Sequence, residues 1–295
     1  MKKIRKVGVI GGGLMGSGIA QASAAAGFPT TVREISEDLC AKARQSIETT
    51  LAKGIERKKV TPAERDETLK NLRFVTRLED LADSDLFIEA VVEDLDVKNN
   101  LWSQLDRIAQ PDAIFASNTS SLRISEMATA SGRPDRMLGL HFFNPVPLMK
   151  LVEVVRTKTT SDDTERRALD FVKALGKEPI RAKDGSGFVV NLLLVPYMLD
   201  AINAVEANVA TVEDIDKAMQ LGARHPMGPF TLLDFVGLDT VHKIAEIMFE
   251  EYRDRRYAPP PLLKRMVLAG LLGKKSGKGF YDYSSNPPRA SSLVL

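Results

Sequence analysis

From Ile4 onward, short apolar runs of strand length alternate with longer stretches whose apolar residues recur at helical spacing. Residues 4–10, 30–33, 73–75, 86–92, 113–116, 137–143, 151–155 and 179–182 read as strands. Between them, 17–26, 38–59, 97–108 and 161–175 read as helices, and Thr61-Pro62-Ala63-Glu64 starts another with a capping box. Strand and helix in alternation predict a doubly wound, mostly parallel sheet. Past Asp184-Gly185-Ser186-Gly187 the strand patterns largely vanish. Residues 188–208 form a strongly apolar helix with Pro196 as a kink, Thr211 caps the next, and the Pro226–Pro229 turn and 262–269 add more. The pattern therefore predicts two domains, 1–185 α/β and 186–295 all-α. The run around Leu193 is apolar on every side, so it must be enclosed on every side, which predicts a two-fold partner docking on the C-terminal domain. Residues 273–279, GKKSGKG, read as a flexible basic loop, and the tail from Ser284 as frayed.

Three local patterns carry chemistry. Gly11, Gly13 and Gly16, with Leu14 and Met15 between the last two, form G-x-G-x-x-G between the first strand and the first helix. In that setting the glycines give a tight turn, close approach of a pyrophosphate and close packing of helix on strand, a Rossmann-type dinucleotide site. Glu34 closes the second strand where an acid bonds the adenosine ribose, which opposes a 2′-phosphate and favours NAD over NADP, although Arg33 precedes it. The second pattern is His141 and Glu153, two ionisable groups on apolar strands 12 residues apart across a proline turn. If the chain doubles back there, the carboxylate meets the imidazole and raises its basicity, as a general base requires. A core histidine satisfied by a hydrogen bond is the other reading of these two residues. The third is Ser117-Asn118-Thr119-Ser120-Ser121, five small polar side chains at a strand end where a helix cap needs one. Glu93, just past the 86–92 strand, sits where such folds place ligand contacts.

Composition narrows the classes. With 41 Lys and Arg against 39 Asp and Glu the net charge is +2, so no global field points to nucleic acid or a membrane surface. Cys40 is the single cysteine, which excludes a disulfide framework, argues against a thiolate metal site and fits a reducing compartment. Met1-Lys2-Lys3 leads straight into a strand without the apolar stretch of a signal peptide, so the expected location is cytoplasmic.

Taken together, GGGLMGSGIAQ from Gly11, SNTSSL from Ser117, HFFNPVPLMKLVEVV from His141, GFVVN from Gly187, HPMGPFTLLDFVGLDT from His225 and GKKSGKGFYDY from Gly273 resemble the L-3-hydroxyacyl-CoA dehydrogenase family over nearly the whole chain. The likeness is greatest to its short-chain bacterial branch, which acts on 3-hydroxybutyryl-CoA. It implies oxidation of an (S)-3-hydroxyacyl-CoA to the 3-ketoacyl-CoA with NAD, or the reverse, with Ser120, His141, Glu153 and Asn191 as the catalytic set. It also implies Glu93, Lys98, Asn144 and Lys275 around the cofactor, Thr50, Lys53 and Arg57 with Ser120 on the coenzyme A substrate, no metal, and a homodimer joined through the C-terminal domains. Two alternatives remain: a dehydrogenase of the same superfamily acting on a free hydroxy or sugar acid, and a non-catalytic NAD-binding protein.

Overall fold

In the computed structural model, which describes residues 3–291, contacts divide the chain into two units, Met1–Phe188 and Val189–Leu295. Met1-Lys2 of the expected mature start and the last four residues of the tail lie outside the described residues.

The first unit is organised by one eight-stranded sheet. Its strands are β1 (Val7–Ile10), β2 (Thr30–Arg33), β3 (Leu72–Val75), β4 (Leu86–Glu89), β5 (Ile114–Ser117), β6 (Met137–Phe142), β7 (Leu151–Arg156) and β8 (Glu178–Lys183). They lie in the order β3-β2-β1-β4-β5-β6-β7-β8. β1 to β6 run parallel, β7 turns back antiparallel to β6, and β8 follows β7 in parallel. Side chains alternate between the faces of a strand, and the core divides accordingly. Val7, Val9, Leu86, Ile88, Ile114 and Leu138 pack on one side, while Ile10, Phe87, Phe115 and Met137 pack on the other.

The helices of this unit are α1 (Leu14–Ala25), α2 (Glu37–Glu56), α3 (Pro62–Lys70), α4 (Leu95–Ile108), α5 (Ile124–Ala130) and α6 (Asp162–Ala174). The Thr61 capping box forms as its residue types dictate, Thr61 and Glu64 each accepting from the other's backbone N–H. Three details differ from the sequence reading. α1 opens at Leu14, directly on the glycines, three residues before the expected start. β4 ends at Glu89, so Val91, Val92 and Glu93 belong to the β4–α4 loop and not to a strand. α5 was not expected, because it is short, and none of the five polar residues before it caps it. Its first N–H groups, from Ile124 and Ser125, are instead satisfied by the distant Asp184 carboxylate at 2.9 and 2.8 Å.

The second unit contains α7 (Val190–Glu206), α8 (Val212–Gly222), α9 (Pro229–Val236), α10 (Leu238–Tyr252) and α11 (Pro261–Leu268), with a two-residue ribbon of β9 (Tyr281–Asp282) against β10 (Arg289–Ala290). Pro196 lies inside α7 without ending it. Leu193 is 64% exposed, so the all-round enclosure expected of this helix is not met within one chain. The 273–279 loop is also not free. A Cβ on Gly273 would lie 2.4 Å from the Asp234 carbonyl, and the Asp234 carboxylate accepts the Phe280 and Tyr281 N–H groups at 2.9 and 2.8 Å. The β9–β10 pairing likewise orders the tail as far as Ala290. Among the described residues, no helix is long and apolar enough to cross a membrane.

Candidate functional site

The strand order reverses at β1, so the carboxyl ends of β1 and β4 flank a crevice, the usual ligand position in a doubly wound sheet. The glycine turn fills one side of it. Gly11 has φ +92°, and a Cβ on Gly16 would lie 1.7 Å from the Gly11 carbonyl, so only glycine permits this turn. A Cβ on Gly13 would meet nothing within 4 Å; the backbone there faces open space at the N-terminus of α1, which no side chain caps. Free N–H groups and a positive helix end at an open backbone suit a pyrophosphate. Leu14 and Met15 form the first helical turn beside it.

A cleft of about 500 Å³ continues from this turn, lined by Gly11, Gly13, Glu34, Ile35, Val92 and Val97 among others. Mostly apolar walls, with Glu34 as the one acid and Arg33, Asn100 and Gln104 as the other polar side chains, fit an adenosine half. Glu34 accepts the Gly12 N–H at 2.5 Å and the Ile35 N–H at 3.1 Å, which fixes its carboxylate at the end of β2. The neighbouring Arg33 donates its Nε to the Thr76 carbonyl at 3.0 Å, tying that guanidinium to the backbone after β3.

The antiparallel turn-back of β7 on β6 sets His141 directly opposite Glu153. The His141 Nδ1 to Glu153 Oε2 distance is 2.5 Å, and both residues are buried. A carboxylate can only accept, so Nδ1 carries the proton and Nε2 is left with its lone pair. Ser120 Oγ lies 3.0 Å from Nε2 and donates to it. The ring is held between Phe143 and Phe188, with centroids at 4.5 and 5.6 Å. A basic nitrogen, oriented by a buried carboxylate and met by a hydroxyl, can take or return one proton.

The other residues of the 117–121 segment reach β4, the β4–α4 loop and β6. Ser117 donates to Glu89 at 2.6 Å, Asn118 Oδ1 accepts the Phe142 N–H at 3.0 Å, and Thr119 and Ser121 donate to Glu93. Lys98 is 1% exposed and its ammonium lies 2.5 Å from Glu89 and 3.2 Å from Glu93. Burial alone would raise the Glu93 carboxyl. The Lys98 charge and the Thr119 and Ser121 hydrogen bonds outweigh it, holding the group below the ordinary carboxylate range.

No hydrogen bond or ion pair joins the other expected residues to this cluster among the described residues. Asn144 is exposed in the β6–β7 connection, and Thr50, Lys53 and Arg57 are exposed on or just past α2. In the second unit, Asn191 is half-buried in the first turn of α7, and Lys275 lies 2.6 Å from Asp239. Sequence reasoning missed Glu89, although it is a charge in an apolar strand, the same signal that singled out Glu153. It also missed Lys177, whose buried ammonium binds the Val146 and Met149 carbonyls at 2.6 and 2.7 Å and pins the β6–β7 connection. Burial lowers the affinity of this amine for its proton. Among the described residues no group of three His, Cys, Asp or Glu side chains could hold a metal.

Comparison with known proteins agrees along the chain. Residues 6–185 match the model of the 3-hydroxyacyl-CoA dehydrogenase NAD-binding domain, and residues 187–283 that of the 3-hydroxyacyl-CoA dehydrogenase C-terminal domain. The chain is 55% identical to a 3-hydroxybutyryl-CoA dehydrogenase of Mycobacterium tuberculosis, over 95% of this chain and 99% of that one. It is 48% identical to a mitochondrial hydroxyacyl-coenzyme A dehydrogenase of Sus scrofa, over 95% and 91%. The crystal structure of (S)-3-hydroxybutyryl-CoA dehydrogenase from Ralstonia eutropha superposes with a TM-score of 0.92 at 41% identity, covering 96% of this chain and all of that one. On matches that span both units, the chain belongs to the 3-hydroxyacyl-CoA dehydrogenase family.

Proposed function

We propose that the protein interconverts (S)-3-hydroxyacyl-CoA and 3-ketoacyl-CoA with NAD, with 3-hydroxybutyryl-CoA as the substrate class. The observation that carries this is the Ser120, His141 and Glu153 array on the NAD-type sheet. When bound, NAD supplies the hydride acceptor. His141 Nε2 takes the proton of the C3 hydroxyl as the carbonyl forms, because this nitrogen carries no proton of its own and its Nδ1–H is held by Glu153. Glu153 then stabilises the imidazolium without itself taking the proton. Ser120 yields its hydrogen bond at Nε2 and holds the reacting oxygen. Asn191 completes the set on the strength of the resemblance. Gly11, Gly13, Leu14, Met15, Gly16 and Glu34 form the nucleotide cradle, with Glu93, Lys98, Asn144 and Lys275 as further cofactor contacts. Thr50, Lys53 and Arg57 offer hydroxyl and cationic groups of the kind coenzyme A phosphates need.

The partners follow from the same reading. Leu193 on α7 and Phe235 on α9 are 64% and 50% exposed, which supports a homodimer through the C-terminal unit. The single thiol, Cys40, is free and buried, which supports a cytoplasmic setting. The experiment is spectrophotometric reduction of acetoacetyl-CoA and of free acetoacetate, with NADH and NADPH in parallel. The expected result is turnover of the thioester with NADH preferred. Equal or better turnover of the free acid would move the assignment to a hydroxy-acid dehydrogenase of the same superfamily.

A further inference from the structure

Glu89 is a fully buried carboxylate at the carboxyl end of β4, and its partners come from three different segments. Its Oε1 receives Lys98 Nζ from α4 at 2.5 Å and the Val91 N–H of the β4–α4 loop at 2.8 Å. Its Oε2 receives the Ser117 hydroxyl at the end of β5 at 2.6 Å. Lys98 also reaches Glu93, which accepts the hydroxyls of Thr119 and Ser121. Ser120 stands between those two residues, with its hydroxyl on His141 Nε2. The segment that presents Ser120 is therefore clamped three times: Ser117 on Glu89, and Thr119 and Ser121 on a carboxylate whose cation Glu89 also holds.

A neutral core residue would fill this place at less desolvation cost, since replacing buried ionic groups by apolar ones is often neutral or stabilising. We infer that Glu89 is a positioning residue for the proposed reaction: it holds Lys98 and Ser117 so that Glu93 and the segment 117–121 keep Ser120 on His141. This rests on the reading of His141 as the acid–base group. Glu89 itself touches neither ring nor hydroxyl of that pair and acts through Ser120.

The test uses Glu89→Gln in the full chain, an isosteric change that keeps an acceptor for Val91 or Ser117 and removes the charge. Three quantities are read: kcat and KM for acetoacetyl-CoA reduction, the same in Glu89→Gln/Ser120→Ala against each single variant, and the melting temperature of each. The expected results are a fall in kcat of about tenfold, within the range that small misplacements of a reacting group produce. The double variant should be no slower than Ser120→Ala alone, because the two act through one hydroxyl. A purely structural Glu89 would lower the melting temperature while leaving kcat within twofold, and that result overturns the inference. Losses that multiply in the double variant overturn it as well. If the wild type fails to reduce the thioester at all, the reaction assigned above falls and the inference falls with it, whereas a wild type that turns over beside an unimpaired Glu89→Gln overturns the inference alone.

Discussion

Both units bury carboxylates, but they compensate them by opposite means. In the first, Glu89 and Glu93 share the Lys98 ammonium. In the second, Asp216 accepts the Phe230 and Thr231 N–H groups and the Thr231 and Tyr281 hydroxyls, and Asp234 accepts from the Phe280 and Tyr281 backbone and the Tyr283 hydroxyl. Among the described residues no Lys or Arg ion-pairs with either aspartate. Their environments differ in sign accordingly. Burial raises the Asp234 carboxyl, and its hydrogen bonds only partly oppose this, whereas at Glu93 the cation wins. Aspartates bonded to backbone N–H groups tie distant segments together, fixing α9 to α8 and to the 273–283 loop. A carboxylate–ammonium cluster with hydroxyl donors holds the segment that carries Ser120. On the proposed function, buried charge serves architecture in one unit and chemistry in the other.

The comparison breaks most sharply at the cation. Lys98→Met leaves Glu89 buried without its charge partner and is expected to cost about 3 to 5 kcal/mol. Asp234→Asn removes a charge that has no cation to miss it and loses one backbone N–H bond, about 1 to 3 kcal/mol. Denaturant unfolding of both variants checks the ranking, and a larger loss in Asp234→Asn would reverse it. The next effect is catalytic. His141→Gln should lower kcat by about 10² or more with little change in melting temperature, and Glu153→Gln should act similarly. Asp234→Asn should do the opposite, lowering the melting temperature while sparing kcat well below it. A His141→Gln enzyme with near wild-type turnover would sink the acid–base assignment.

Cofactor choice sharpens the account of the first unit. Glu34 opposes a 2′-phosphate, and Arg33 is tied to Thr76, so kcat/KM with NADH should exceed that with NADPH, and Glu34→Gln should narrow the gap. An unchanged ratio in that variant would remove Glu34 from cofactor selection.

The smallest effect is the pH dependence, in which the two acids oppose each other. Glu93 has a lowered folded-state value, so its contribution to stability is present above its ordinary 4.5 and is lost as pH falls below it. Asp234 is raised from its ordinary 3.8, so its contribution is complete below that pH and is lost as pH rises through the folded value. Melting temperatures of the wild type and Asp234→Asn from pH 4 to 7 test this. The variant's deficit should shrink as pH rises, and a constant deficit would show that Asp234 does not titrate there.

Much of this molecule is written locally. The glycines with their strand and helix, the Thr61 capping box and the apolar strands depend on neighbours within a few residues, so sequence alone determines that a doubly wound sheet with a phosphate-binding turn precedes a helical unit. The charge on an apolar strand even marks Glu153, and spacing across a proline turn pairs it with His141. Long-range pairing had to decide the rest. Nothing near Glu89 in sequence tells that Lys98 and Ser117 will converge on it, because α4 and β5 meet β4 only when the sheet forms. The serine-rich segment could not be read as three clamps around the Ser120 hydroxyl without β4 and the β4–α4 loop in place. The 273–279 loop looked free because its restraint, Asp234, lies on a helix some forty residues earlier. Local chemistry sets which groups can bond, and only the packed sheet and helices set which of them are within 3 Å, since a hydrogen bond is lost over a fraction of an ångström and a sequence carries no such distance.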